Sequence, residues 1–272
     1  MSKKIIFTIE EENEIINLWK NSDKSCVQIG KIFGVSETPI RRCLKAHNIE
    51  IKNKKQFVKI KHVDDNFFDN IDTEEKAYWL GFICADGYVA KNRVGIGLSA
   101  IDYNHLCKFK DLINSDTDIR KFTRDNKEYC DFRFTSQQMV KSLSKYSIVD
   151  NKTFKLDLSI TLSFVPENLK RHFVRGYFDG DGTICQNSKT LQPAFNIILT
   201  EKNINPIMKE ISLNTKPIKD KRKKDSWTIQ SSNKDYIKNL YDYFYTNCNI
   251  YLDRKYIKFT EIKKYIEEAQ RV

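Results

Sequence analysis

Two aspartates, Asp86 and Asp181, stand in matched surroundings 95 positions apart. The first ends the run Trp79-Leu80-Gly81-Phe82-Ile83-Cys84-Ala85-Asp86-Gly87, and the second ends Val174-Arg175-Gly176-Tyr177-Phe178-Asp179-Gly180-Asp181-Gly182. Each run reads as an apolar helix, and each acid precedes a glycine able to end that helix in the left-handed conformation. Two carboxylates at adjacent helix C-termini face each other and the negative ends of two helix dipoles, so leaving both ionised is unfavourable. A divalent cation removes that conflict. Oxygen-only ligands suit hard Mg²⁺, with Mn²⁺ as a substitute, and Mg²⁺ completes its shell with water and phosphate oxygens. Such an ion activates water, orients a scissile phosphate and stabilises a departing oxygen. Asp86 and Asp181 are therefore the candidate metal ligands and catalytic groups.

That chemistry requires the two helices to lie close together. A glycine inside a helix costs about 1 kcal/mol relative to alanine, so Gly81 and Gly176, at the same motif position, need a reason. Gly81 with Ala85, and Gly176 with Gly180, put small residues one turn apart on one face, where two helix backbones can pack almost in contact. These four residues form the predicted helix interface, and their packing brings the acids together.

The surrounding pattern also repeats. Asp72-Thr73-Glu74-Glu75 offers a cap for the first motif helix, and Pro166 stands at the start of the second. Strand-like stretches follow at Val94–Ser99 and Ala194–Thr200, then helices over about 103–113 and 203–212. Alternating strands come next, with Ile119, Phe122, Cys130, Phe132 and Phe134 in one copy and Ile218, Trp227 and Ile229 in the other. Closing helices fall near 137–146 and 233–246. The chain is thus predicted to be α+β, with two pseudo-symmetric αββαββα repeats at 65–164 and 165–272.

Residues 1–50 read as a separate all-α helix-turn-helix domain. Thr8 and Glu11 form a capping box ahead of the stripe Ile15, Ile16, Leu18 and Trp19. Farther on, Gly34 supplies the positive φ of a tight turn, Val35 fills the angle between two helices, and Ser36 can cap the second. Pro39 fits the first turn of that helix. On this reading Ser36, Glu37, Thr38, Arg41, Arg42 and Lys45 are the polar positions of a helix able to enter a DNA major groove. The pattern is similar to the resolvase-type version of the motif, and a small helical bundle without a ligand is the alternative. Residues 51–64 form a lysine-rich linker. A second basic strip, Lys216–Asp225, holds six basic residues against two acids. Its Lys221, Arg222 and Lys223 are candidates for gripping a phosphate backbone, although a charged exposed hairpin accounts for them equally well.

Composition bounds the partner. The formal charge of +11, from 47 Lys+Arg against 36 Asp+Glu, favours a polyanion, with nucleic acid ahead of an anionic membrane, and the helix-turn-helix reading points to double-stranded DNA. The longest apolar run, Tyr78–Ala85, is far short of the ~20 residues of a spanning helix. Acidic residues come too early at the N-terminus for a secretory signal. Seven scattered cysteines, without a CxxC pair, suit reduced thiols in a cytosol-like compartment with access to DNA rather than secretion.

At the two glycine-flanked motifs and their repeated surroundings, over roughly 65–268, the chain resembles the LAGLIDADG homing endonucleases. The resemblance implies a monomer with internal pseudo-twofold symmetry, paired four-stranded antiparallel sheets forming a saddle over duplex DNA, and base-reading side chains on the strands. It also implies that Asp86 and Asp181 bind metal and cut both strands across the minor groove, leaving short 3′ overhangs. Two departures stand out. The sixth motif position is Cys84 in one copy and Asp179 in the other, where aspartate is usual, although that position is not the metal ligand. Basic residues of the family near the water pool, just before each closing helix, are met here by Thr135 and Gln230, which leaves Lys121, Lys219, Lys224 and Lys234 without an assigned role.

The expected function is a site-specific, metal-dependent double-strand DNA endonuclease. A DNA-binding regulator that has lost cleavage and an intron RNA maturase are the alternatives on the same scaffold. A calcium loop at Asp179-Gly180-Asp181-Gly182 is disfavoured because the glutamate required at position twelve is Thr190.

Overall fold

The computed structural model describes residues 5–22, 24–51 and 62–270. Two units divide the chain, Met1–Ile60 and Lys61–Val272.

In the first unit, α1 (Ile9–Asn21) begins at the capping box, where Thr8 Oγ1 accepts from the Glu11 N–H and the Thr8 N–H donates to Glu11 Oε2 at 2.8 Å. Ser25 and Gln28 repeat the arrangement at α2 (Cys26–Ile32). The chain then turns at Gly34, with φ of +65°, into α3 (Glu37–Ala46). Ser36 is the N-cap residue of α3, but its hydroxyl makes no capping hydrogen bond, unlike the role expected for it. Ile15, Trp19, Cys26, Ile29, Ile40, Cys43 and Leu44 close a small core. Most of the lysine-rich strip lies outside the described residues. His62 and Asp64 already belong to the second unit, where the Asp64 N–H donates to Ile113 O and His62 O accepts from the Asp116 N–H.

The second unit opens with α4 (Glu74–Ala85), capped by Thr73, followed by β1 (Gly87–Ala90), β2 (Arg93–Ser99), α5 (Tyr103–Leu112), β3 (Arg120–Arg124), β4 (Lys127–Thr135) and α6 (Gln137–Lys145). Two short helices, α7 (Lys152–Lys155) and α8 (Leu158–Ser163), lead to the second copy. That copy comprises α9 (Lys170–Asp181), β5 (Gly182–Gln186), β6 (Pro193–Leu199), α10 (Ile204–Glu210), β7 (Ile218–Lys219), β8 (Trp227–Ser231) and α11 (Lys234–Tyr245). The long α12 (Asp253–Ala269) follows. The strand orders, β1-β2-β4-β3 and β5-β6-β8-β7, are the same in the two antiparallel sheets. The α+β reading and the two αββαββα copies therefore hold, while α7, α8 and α12 are additions that the repeat pattern did not anticipate.

Alternation along the strands turns one face of each sheet into the core. In the first sheet Val94, Ile96, Cys130, Phe132 and Phe134 are buried between Arg93, Arg133 and Thr135 on the other face. Phe195, Ile197 and Ile229 do the same in the second. Both inner faces pack on α4 and α9, within one continuous hydrophobic cluster.

One local expectation fails. Gly34 is the only glycine with positive φ among the described residues, so Gly87 and Gly182 do not end their helices in the left-handed region. They open strands instead, pairing with Ile96 and Ile197 in equivalent register. Glycine is needed there for space, since a Cβ would fall 2.8 Å from the Ile83 carbonyl oxygen at Gly87 and 2.6 Å from that of Phe178 at Gly182.

Candidate active site at the helix seam

The seam between α4 and α9 is built by removing side chains. A Cβ on Gly81 would fall 1.9 Å from the carbonyl oxygen of Phe173, and one on Gly176 would fall 1.9 Å from that of Tyr78. Gly180 faces Ala85 Cβ at 2.3 Å by the same measure. No larger residue fits unless the helices part. Polar groups fix the register of this contact. Fully buried Arg175 donates to Glu74 Oε1 at 2.7 Å across the seam, and also to the carbonyl oxygens of Phe244 and Ile250. The same Glu74 oxygen accepts from the backbone N–H groups of Asn249 and Ile250.

Two acids emerge at one end of the seam. Asp86 is the C-cap residue of α4, and Asp181 is the last residue of α9. Asp86 Oδ2 lies 3.5 Å from where a Gly180 side chain would begin, so its carboxylate rests against the end of the opposite helix. Burial, and then the charge of Asp86, push the Asp181 carboxyl up to about 6. Burial likewise raises Asp86, although part of that residue opens to solvent. The nearby Tyr177 hydroxyl opposes this rise at Asp181.

Two lysines complete the site. Lys152 Nζ, from α7, donates to Ile83 O at 2.8 Å and Ala85 O at 2.6 Å. Lys255 Nζ, from α12, donates to Phe178 O, Asp179 O and Gly182 O at 2.7, 2.8 and 2.5 Å. Each cation therefore caps the negative end of one motif helix, where the last carbonyls lack intrahelical partners. Both pKa values are lowered by burial, that of Lys255 to about 8, while Asp86 and Asp181 oppose the shift in each case. The lysine protons go to backbone carbonyls and leave the carboxylate oxygens available.

Sequence reasoning missed this pair. Thr135 and Gln230, the positions that correspond to the family's basic residues, lie at or near the ends of β4 and β8. Lys255 carried a readable signal, because it shares an i, i+4, i+7, i+11 stripe with buried Phe259, Ile262 and Ile266. A lysine on an apolar stripe has to find acceptors inside the protein. Lys152, in a helix of four residues, carried none.

The two sixth motif positions have diverged. Asp179 is buried and accepts from the Tyr78 hydroxyl and the Leu252 N–H, each at 2.8 Å, which ties both motif helices to the start of α12. Cys84 is also buried, and its thiol is pushed up to about 12. With Asp179 committed inward and residues 182–186 in a strand, the segment forms no calcium loop.

A cavity of about 350 Å³ opens beside Asp181, lined also by Cys84, Lys152, Tyr177, Lys223 and Lys224 among others. Lys223, expected only to grip a backbone, thus lies on the same cavity as Asp181. Lys221 is exposed, and Arg222 is paired to Asp220 Oδ1 at 3.0 Å. In the first unit Ser36, Thr38, Arg42 and Lys45 are exposed, while half-buried Arg41 pairs with Glu37 at 3.3 Å.

Two αββαββα repeats in one chain, crossed at glycines with an acid at the end of each crossed helix, have the fold of the LAGLIDADG homing endonucleases. No protein-family model matches the chain, and no curated protein sequence matches it. Solved structures do. The I-SmaMI LAGLIDADG homing endonuclease bound to cleaved DNA matches with a TM-score of 0.53 at 16% identity, over 74% of this chain and 91% of that one. I-SmaMI bound to an uncleaved DNA target in the presence of calcium ions matches with a TM-score of 0.52 at 16% identity, over 72% and 91%. Among the described residues, no helix is long and apolar enough to cross a membrane.

Proposed function

We propose that this chain is a metal-dependent, site-specific endonuclease that hydrolyses both strands of duplex DNA, acting as a monomer. The observation that carries the reading is the pair Asp86 and Asp181, held at the ends of two helices that only glycine allows to cross so closely. Their donor set is all oxygen, and the charge of Asp86, which adds to burial in raising Asp181, is the kind a hard divalent cation relieves, so Mg²⁺ fits and Mn²⁺ can replace it. When bound, the ion supplies Lewis acidity at a phosphate oxygen and lowers the pKa of water. Asp86 and Asp181 bind it in their ionised forms. Lys152 and Lys255 hold the helix ends in place and add positive charge where phosphate approaches. The exposed face of α3 and the strip Lys221–Lys223 add contacts to DNA outside the reacting centre. Further support comes from the shared fold, whose solved examples carry DNA.

The test is to incubate the purified chain with a randomised duplex library in Mg²⁺, and separately in Ca²⁺, and to sequence the cut ends. Defined ends with short 3′ overhangs are expected in Mg²⁺ and not with Asp86→Asn or Asp181→Asn, while both variants still retain duplex on a filter. Retention without any cut in Mg²⁺ or Mn²⁺ would instead make the chain a DNA-binding regulator.

A further inference from the structure

Far from these acids in sequence, the first unit brings together three side chains of different chemistry. Cys43 and His47 are four residues apart at the C-terminal end of α3, a spacing that puts both on one helix face. Glu12 comes from the first turn of α1, which packs against α3. The Cys43 Sγ, a His47 ring nitrogen and a Glu12 carboxylate oxygen all lie within 4.8 Å of one another. His47 Nε2 and Glu12 Oε2 are already 2.9 Å apart. Cys43 is 5% exposed, and its thiol is held protonated by burial and by the Glu12 charge.

We propose that Glu12, Cys43 and His47 form a zinc site that clamps α1 to the end of α3. The donor types select the ion: one sulfur, one imidazole nitrogen and one carboxylate oxygen suit a borderline-soft, four-coordinate cation, whereas Mg²⁺ and Ca²⁺ take oxygen ligands. With Zn–S near 2.3 Å and Zn–N or Zn–O near 2.0 Å, tetrahedral coordination places donor atoms roughly 3.3–3.5 Å apart. Small side-chain rotations at the exposed His47 and half-buried Glu12 close the trio to that size. Water takes the fourth position. On binding, the Cys43 S–H bond breaks, an S–Zn bond forms, and the proton leaves to solvent, while His47 uses the lone pair of its neutral ring and Glu12 a carboxylate oxygen. The ion-pair contact of His47 with Glu12 and the place of Cys43 in the small core account for these residues one by one, but neither accounts for a sulfur, a nitrogen and an oxygen donor gathered within 4.8 Å of one another.

The site is independent of DNA cleavage, so its test does not use activity. The metal-free, reduced full chain is titrated with Co²⁺, which takes the same geometry as Zn²⁺ and reports thiolate ligation through a sulfur-to-cobalt charge-transfer absorption in the near ultraviolet. One equivalent should develop the band together with tetrahedral d–d absorption, and one equivalent of Zn²⁺ should abolish both, with proton release on binding. Asp86→Asn combined with Asp181→Asn should leave the band intact, because an oxygen-only site gives no such absorption. Cys43→Ser should remove it. His47→Gln, at an exposed position that does not endanger folding, should weaken Zn²⁺ binding by at least about 100-fold, the upper end of what losing a residue that merely orients a ligand costs. The proposal is overturned if no thiolate band appears at stoichiometric Co²⁺, if the band survives Cys43→Ser in folded protein, or if His47→Gln leaves the affinity unchanged.

Discussion

Asp181 couples the chemistry of the site to the stability of the protein. With no cation bound, its folded-state pKa of about 6 exceeds the ordinary carboxylate value of 3.8. The fold therefore favours the protonated form, and the stability this contributes is fully present below about pH 4 and lost as pH rises through about 6. In the absence of divalent metal, Asp181→Asn should stabilise the protein at pH 7 by on the order of 1 kcal/mol, a rise of about 2–4 °C in Tm for a unit of this size. The gain should vanish at pH 4, which differential scanning calorimetry in EDTA can check. The same shift sets proton against metal, so Mg²⁺ affinity measured by calorimetry should fall by up to about tenfold per pH unit below pH 6. Lys255 lowers the pKa of Asp181, so Lys255→Met should move the acid limb of any pH–rate profile to higher pH. It should also destabilise the fold by roughly 1–3 kcal/mol, since buried carbonyls at the end of α9 lose their donor. An unmoved acid limb would separate Lys255 from the electrostatics of the acids.

At the scale of elements, two opposing effects meet at Gly176. Alanine there gains about 1 kcal/mol of helix propensity, but its methyl would have to occupy space 1.9 Å from Tyr78 O. A backbone atom cannot rotate away as a side chain can, so the helices would have to separate, with a loss of roughly 3 kcal/mol or more. Gly176→Ala and Gly81→Ala should each lower Tm and cleavage together, while Gly97→Ala on β2, whose Cβ would meet nothing closer than 4.0 Å, should change Tm far less. Equal Tm losses at all three would mean that the seam is looser than its geometry. This contact was legible in the sequence because a helix-breaking residue recurred at one motif position in two apolar runs. Sheet order and closing helices were legible from alternation and periodicity. What was hidden came from outside the repeat. Lys152 reaches the α4 terminus from a four-residue helix with no periodic pattern, and the contact of Glu74 with Asn249 joins residues 175 positions apart. The local sign assigned to Gly87 and Gly182 was wrong for a simple reason: a glycine before a strand can mean lack of room as well as positive φ.

The whole molecule combines a duplicated unit carrying the acids with a helical unit whose exposed residues include Ser36, Thr38, Arg42 and Lys45. If both bind the same duplex, the net charge of +11 is spread over contacts that specify and contacts that merely hold. Each phosphate contact by a Lys or Arg releases condensed counterion, so the slope of log K against log salt counts such contacts at about 0.9 per phosphate on B-DNA. Removing residues 1–51 should weaken duplex affinity and make that slope shallower by roughly two to three, as expected for loss of Arg41, Arg42 and Lys45. The positions of the cut bonds should stay the same, because the acids and both lysines belong to the other unit. Arg42→Ala alone should reproduce about one unit of the slope change if it touches phosphate, or relax base preference at one end of the target with little slope change if it reads a base. A truncated chain that cuts at displaced bonds would show that the helical unit sets the register of cleavage, and the division of labour between the two units would have to be abandoned.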